Sequence, residues 1–180
     1  MAAVTVLCCV GFALVNLDLL TTGFFAGEDY DRLTADHPVG FAVMNLLVLV
    51  LKLAGAFVAA LTVAPRVRTS APGRLLAPPV VGVSAHAAWI TLGVYCAGSI
   101  AQGIVMIVEG DGIALGELAY VGFFALFALC YGVLGLSYHR RAGLRPRHLV
   151  LGTLGAIVLG GVLTAAIVTL TALGLVPSST

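Results

Sequence analysis

The stretch that decides the fold reads VVGVSAHAAWITLGVYCAGSIAQGIVMIV, residues 80–108, and it contains no aspartate, glutamate, lysine or arginine. An α-helix rises 1.5 Å per residue and needs about 20 mostly apolar residues to cross roughly 30 Å of bilayer hydrocarbon. This stretch exceeds that length, so it predicts a membrane-spanning helix. A transmembrane β-barrel would need short segments of alternating polarity instead.

Four further stretches are also long and mostly apolar, at residues 2–26, 39–64, 118–138 and 149–176. Composition agrees, because 61% of the 180 residues are hydrophobic and only 9% are charged, against about 25% in soluble domains. The sequence therefore predicts an all-α integral membrane protein, a single membrane domain over residues 1–180 built as a bundle of five transmembrane helices in the lipid bilayer. The same composition excludes a disordered chain, a disulfide scaffold and a nucleic-acid binder.

The few charged residues predict an orientation. Seven of the eight arginines lie in the connections at residues 65–79 and 139–148, and one lies in the connection after the first span. The positive-inside rule places the two basic connections in the cytoplasm, so we expect a cytoplasmic N-terminus and an extracytoplasmic C-terminus. Arginine outnumbers lysine eight to one in a chain rich in alanine, valine, glycine and leucine. This bias is typical of GC-rich genes and favours the cytoplasmic (inner) membrane of a bacterium.

Two charged residues fall inside the predicted spans, Asp18 in the first and Lys52 in the second. Such charges are costly in hydrocarbon and by default indicate a functional site with a partner. The two spans are sequence neighbours and are expected to pack antiparallel, with Asp18 about 10 Å and Lys52 about 18 Å below the same boundary. A lysine side chain can bridge much of this difference. We therefore expect an Asp18–Lys52 ion pair, with Asn16 and Asn45 completing an intramembrane polar cluster.

A polar stripe follows the third predicted helix at an average spacing of about 3.6 residues, with Ala88 filling one gap. Polar groups in hydrocarbon need protein or water partners. We expect the stripe to make interhelical hydrogen bonds or to line a cavity beside the polar cluster. Its members are Ser84, Thr91, Tyr95, Ser99 and Gln102.

The fifth predicted helix carries small residues at every fourth position. Rows of this kind let helix backbones approach closely, inside the chain or against a partner helix. The predicted helix-packing residues are Gly152, Ala156 and Gly160 in one row and Gly161 and Ala165 in the other.

An aromatic stripe recurs at helical spacing along the fourth predicted helix, and we interpret it as a packing face with anchors at the membrane surface, or alternatively as a binding platform for a lipid or quinone. Its positions are Glu117, Tyr120, Phe124, Phe127, Tyr131 and Tyr138. The four cysteines lie inside spans without a C-x-x-C motif, and we interpret them as packing residues. The lone His86 is likewise interpreted as a packing residue.

The chain contains no G-x-S-x-G, H-E-x-x-H or phosphate-loop motif, so the sequence predicts no catalytic residues, no metal site and no cofactor. The first interpretation of function is a small non-enzymatic structural or accessory subunit that packs with itself or with a membrane partner protein. An alternative is a small transporter or channel-like protein that uses the Asp18–Lys52 pair. A second alternative is a membrane enzyme that acts on a lipid or isoprenoid at the acidic segment 28–37.

Overall fold

The computed structural model describes residues 1–22, 37–63, 77–109 and 115–175, and all regular secondary structure within them is helical. All five helices are long and apolar enough to cross a membrane. The prediction of five apolar helices is thereby confirmed. The helices are α1 (Ala2–Thr21), α2 (Pro38–Leu61), α3 (Pro78–Glu109), α4 (Leu115–Arg141) and α5 (Arg147–Ala172).

The helix ends differ from the predicted spans by a few residues, because backbone hydrogen bonding does not stop where apolar sequence stops. The fourth helix extends three residues beyond its predicted span at each end, whereas the fifth ends four residues early. Both finish in the same way, on a glycine with a left-handed backbone, Gly143 (φ 61°) and Gly174 (φ 70°). The next N–H group reaches back to the last turn, with Leu144 N donating to the carbonyl of His139 at 3.1 Å. This Schellman arrangement satisfies carbonyls that a helix end leaves open.

The helices pack as two groups. One group is the antiparallel hairpin of α1 and α2, and in the other α3 packs on both α4 and α5. The groups meet mainly where α1 faces α4 and where α2 faces α3. The α4 side of this junction consists of Phe124, Phe127 and Tyr131, each at most 5% exposed, which we call the aromatic seam. The aromatic packing face predicted for the fourth helix is confirmed for these three residues.

The first helix carries two polar side chains on its buried side. Thr5 and Asn16 are buried there together with Cys9 and Ala13, whereas Leu7 and Leu14 on the other side are 70% and 59% exposed. The exposed leucines are the reverse of the pattern in a helix of a water-soluble protein, and they agree with α1 being a candidate membrane span by length and composition.

Candidate functional site

The ammonium group of Lys52 lies among aromatic rings in the middle of the bundle. Its Nζ atom is 5.2 Å from the ring centroid of Phe12, 4.7 Å from that of Phe124 and 5.2 Å from that of Phe127. The three rings come from α1 and α4, so the lysine of α2 connects the two groups of helices. We call Lys52 and these three rings the lysine cage. The faces of aromatic rings carry partial negative charge, and a cation within about 6 Å of the centroid is attracted to them.

Beside the cage, Cys9 and Tyr131 close the junction. The Cys9 Sγ atom lies 3.6 Å from the Tyr131 hydroxyl, and both side chains are essentially inaccessible. The hydroxyl occupies space that only a glycine at position 55 leaves open, since a Cβ there would lie 2.7 Å from Tyr131 Oη. Lys52 and Gly55 are three residues apart on α2, so they lie on the same side of that helix. The lysine cage and the Cys9–Tyr131 contact are therefore adjacent parts of one site.

Each member of the predicted polar cluster makes a contact that the structure describes. The carboxylate of Asp18 accepts a hydrogen bond from the Thr22 hydroxyl one turn further along α1. The amides of Asn16 and Asn45 each donate to a carbonyl of their own helix, four residues back, at 2.9 Å. The Lys52 ammonium contacts the ring faces. The Asp18–Lys52 ion pair is not among these contacts and stays a prediction.

The polar stripe of the third helix does not form one continuous inward face. Ser84, Thr91 and Ser99 are half-buried, whereas Tyr95 is 44% exposed and Gln102 is exposed. The Thr91 hydroxyl is buried without a hydrogen-bond partner among the described residues. Tyr95 packs its ring against Phe124 at a centroid distance of 5.0 Å and so borders the lysine cage. The stripe thus contributes one neighbour to the cage.

The predicted small-residue rows on α5 are only partly covered. Gly152 and Ala156 are buried on α3, and a Cβ at position 152 would lie 2.9 Å from both His86 and the Val83 carbonyl oxygen. Among the residues that the structure describes, no atom apart from the nearby backbone of α5 itself lies within 4 Å of a Cβ built at Gly160 or Gly161, and Ala165 is exposed. The first turns of the row therefore pack inside the chain, and the later turns face outward.

His86 belongs to this same α3–α5 contact. It is 7% exposed, packs edge-on to Trp89 and lies 3.4 Å from the Thr153 hydroxyl. The Thr153 hydroxyl also donates to the Leu149 carbonyl of its own helix. Because the single hydroxyl proton of Thr153 is used in that bond, the hydroxyl oxygen accepts the hydrogen bond from His86 Nε2–H. The interpretation of His86 as a packing residue agrees with these contacts.

The other predicted features concern cysteines and metals. All four cysteines are free thiols; Cys9, Cys96 and Cys130 are buried and Cys8 is half-buried. Within the described ranges, no three His, Cys, Asp or Glu side chains come together as a group that could hold a metal ion. Most of the acidic segment 28–37 lies outside the described residues, as do the side chains of Glu117 and Tyr120.

Sequence reasoning found Lys52 but missed the rings around it. Phe124 and Phe127 were assigned to a separate aromatic stripe, and Phe12 had no marked pattern of its own. The helical spacing of the aromatic stripe could have linked the rings to Lys52. It shows that the stripe packs against another helix, but the sequence does not say which one.

Comparison of the chain with protein-family models, with curated proteins and with solved structures found no match.

Proposed function

We propose that this chain is a small accessory subunit of a bacterial cytoplasmic membrane, which packs through α5 against another membrane helix. In this proposal the N-terminus and the connection between α4 and α5 face the cytoplasm, because that connection carries an excess of arginine. The other helix belongs to a second copy of the chain or to a partner membrane protein. This role involves no chemical reaction of its own.

The observation that carries the proposal is the uncovered outer half of α5. Gly161 and Ala165 lie one turn apart on an exposed side of the helix, and larger apolar residues such as Val158 and Val162 flank them with 65% and 60% exposure. Small residues between larger ones form a shallow groove that admits a helix backbone. The same helix already uses this mode of packing on its other side, where Gly152 contacts α3.

Cross-linking in native membranes tests the proposal, because it shows whether α5 lies against a second copy or another membrane protein. A photo-reactive residue at Ala165 is expected to cross-link to a second copy or to another membrane protein, whereas the same residue at the exposed Leu7 on α1 is not. Gly161→Leu should abolish the cross-link. Gly11→Leu is the matched control, because Gly11 is also exposed and also has open space around it. A chain that stays monomeric and gives no cross-link from Ala165 would refute the proposal.

A second candidate function is the transport of a proton or ion, and the lysine cage favours it. A cation held at mid-span between two groups of helices is a group that a membrane protein can use to bind and release charge. Reconstitution in liposomes with a pH-sensitive dye inside measures the flux. Transport requires that Lys52→Met abolish the flux while Phe123→Leu, beside the cage but not over the ammonium, retains it. Equal flux in liposomes with and without the wild-type protein excludes this function.

A further inference from the structure

The connection between α4 and α5 places four arginines on one corner of the bundle. Arg140 and Arg141 end α4, and Arg145 and Arg147 stand at the start of α5. All four side chains are exposed. We call these four residues the arginine corner.

Acidic side chains in the described part of the chain lie toward the other end of the bundle. The start of α3 meets the arginine corner, since Gly82 faces Leu144, so Glu109 at the other end of α3 lies a full helix length away. Along α4, α1 runs away from the corner, because the Met1 sulfur contacts Cys130 and the Phe12 ring stacks on Phe123, so Asp18 lies farther still from the end of α4. The positive charge of the corner is therefore not neutralised by the carboxylates of Asp18 or Glu109.

The corner is held in a defined shape. The left-handed backbone of Gly143 turns the chain, and Leu144 packs into the notch that Gly82 leaves on α3. His139 Nε2 lies 3.3 Å from the carbonyl oxygen of Arg145, and the Arg145 N–H donates to His148 Nδ1 at 3.1 Å. These contacts fix the backbone that carries the arginines, so less freedom is lost when they bind a ligand.

One of the four arginines has a structural task. Arg141 donates through Nε to the Ser137 carbonyl at 3.2 Å and through Nη2 to the Thr62 carbonyl at 3.1 Å. The second bond ties the corner to the end of α2. A binding role therefore rests on the other three residues, Arg140, Arg145 and Arg147.

We propose that the arginine corner binds the phosphate headgroup of an anionic phospholipid. The corner lies where two membrane-spanning helices end, which is the level of the lipid phosphates. Guanidinium groups bind phosphate oxygens through two parallel hydrogen bonds, and clusters of basic residues next to a span attract anionic lipid. Apolar residues on the adjoining turns, among them the exposed Val150 and Leu151, offer contact to the acyl chains. The site is independent of the packing role proposed for α5.

Native mass spectrometry of the detergent-solubilised, delipidated chain tests this site, because it measures the affinity of each added lipid. Phosphatidylglycerol should bind more tightly than phosphatidylcholine. In the variant Arg140→Gln/Arg145→Gln/Arg147→Gln the preference should fall by about fivefold for each arginine removed. The matched control is Arg66→Gln/Arg68→Gln/Arg74→Gln, which loses the same charge from the other basic connection and should keep the preference. Work in detergent avoids any change of orientation that the lost charges would cause in the membrane.

Each remaining outcome decides the proposal. Equal affinity of the wild type for the two lipids overturns it, and so does an equal loss in the corner variant and in the control. Displacement of phosphatidylglycerol by millimolar inorganic phosphate would show a site for free phosphate instead, which also overturns it. If the triple variant does not fold, Arg140→Gln and Arg147→Gln singly carry the test, each with an expected loss of about fivefold.

Discussion

Two helix contacts in this molecule are built on opposite principles. Where α5 meets α3, Gly152 brings the backbones so close that a Cβ would lie 2.9 Å from the Val83 carbonyl oxygen. Where α4 meets the α1–α2 hairpin, the lysine cage and Tyr131 hold the helices apart with large side chains. In the first contact, backbone atoms limit how closely the two helices approach. In the second contact, the ends of side chains set this limit. The difference predicts that damage to the first cannot be repaired by a second substitution, whereas damage to the second can.

The largest effect is expected for Gly152→Leu. The new side chain meets the Val83 carbonyl and the Cβ of His86, so α5 must move away from α3. We expect a loss of about 3 kcal/mol in the free energy of unfolding, at the upper end of the range for overpacking. Denaturant unfolding in mixed micelles, followed by Trp89 fluorescence, measures it. Gly11→Leu serves as the control, and removal of the His86 ring in His86→Ala should not restore stability.

Gly55→Ala should have a smaller effect that can be reversed. The new methyl group meets only the Tyr131 hydroxyl and the Cys9 sulfur at short range. We expect destabilisation of about 1.5 kcal/mol, because the tyrosine has to shift. Adding Tyr131→Phe removes the clashing oxygen and should recover most of the loss in the same unfolding measurement. If Tyr131→Phe does not restore stability, damage to the contact between α4 and the hairpin is no easier to repair than damage to the contact between α5 and α3.

A double-mutant cycle measures the attraction inside the lysine cage. Lys52→Met keeps a side chain of similar length without charge, and Phe124→Leu removes the nearest ring. The two substitutions should show a coupling free energy of about 1 kcal/mol. The same cycle with Phe123→Leu is the control, since Phe123 stacks on Phe12 at 4.7 Å and is not among the rings over the ammonium. Coupling of equal size in both cycles contradicts an attraction specific to the cage.

The smallest effect concerns the hydrogen bond across the glycine contact. Thr153→Val leaves His86 Nε2 without the hydroxyl that lies 3.4 Å away. Interhelical hydrogen bonds in membrane proteins average about 0.6 kcal/mol, and we expect a loss of that size. Thr164→Val is the control, because the Thr164 hydroxyl donates to the Gly160 carbonyl of its own helix. A loss well above that of the control would show that this bond, and not only close backbone packing, holds α5 in place.

Local patterns predicted local structure well. The long apolar stretches became helices, three residues of the aromatic stripe on the fourth helix became a buried face, and Gly152 became a close contact. Each of these follows from residues within one helix. For the polar cluster, the structure shows that the amides of Asn16 and Asn45 each donate one hydrogen bond to a carbonyl of their own helix, and the cluster itself stays a prediction.

The neighbours of Lys52 show where sequence reasoning ends. A lysine in hydrocarbon demands compensation, and opposite charge is the first partner to expect. The structure shows aromatic faces from α1 and α4 around the ammonium group, while the pair with Asp18 stays a prediction. Which helix lies beside α2, and how far it is rotated about its axis, decides between these partners, and neither quantity is encoded in a local pattern.

The number of helices, their approximate limits and the positions of the charged residues were determined by the sequence alone. The physical reason is local, since a helix satisfies the backbone hydrogen bonds of a long apolar segment within that one segment. Tertiary structure alone decided that Lys52 meets three rings, that Gly55 makes room for Tyr131 and that half of α5 stays uncovered. These are contacts between segments far apart in the chain, and they depend on side-chain volumes that become complementary only after the helices have packed.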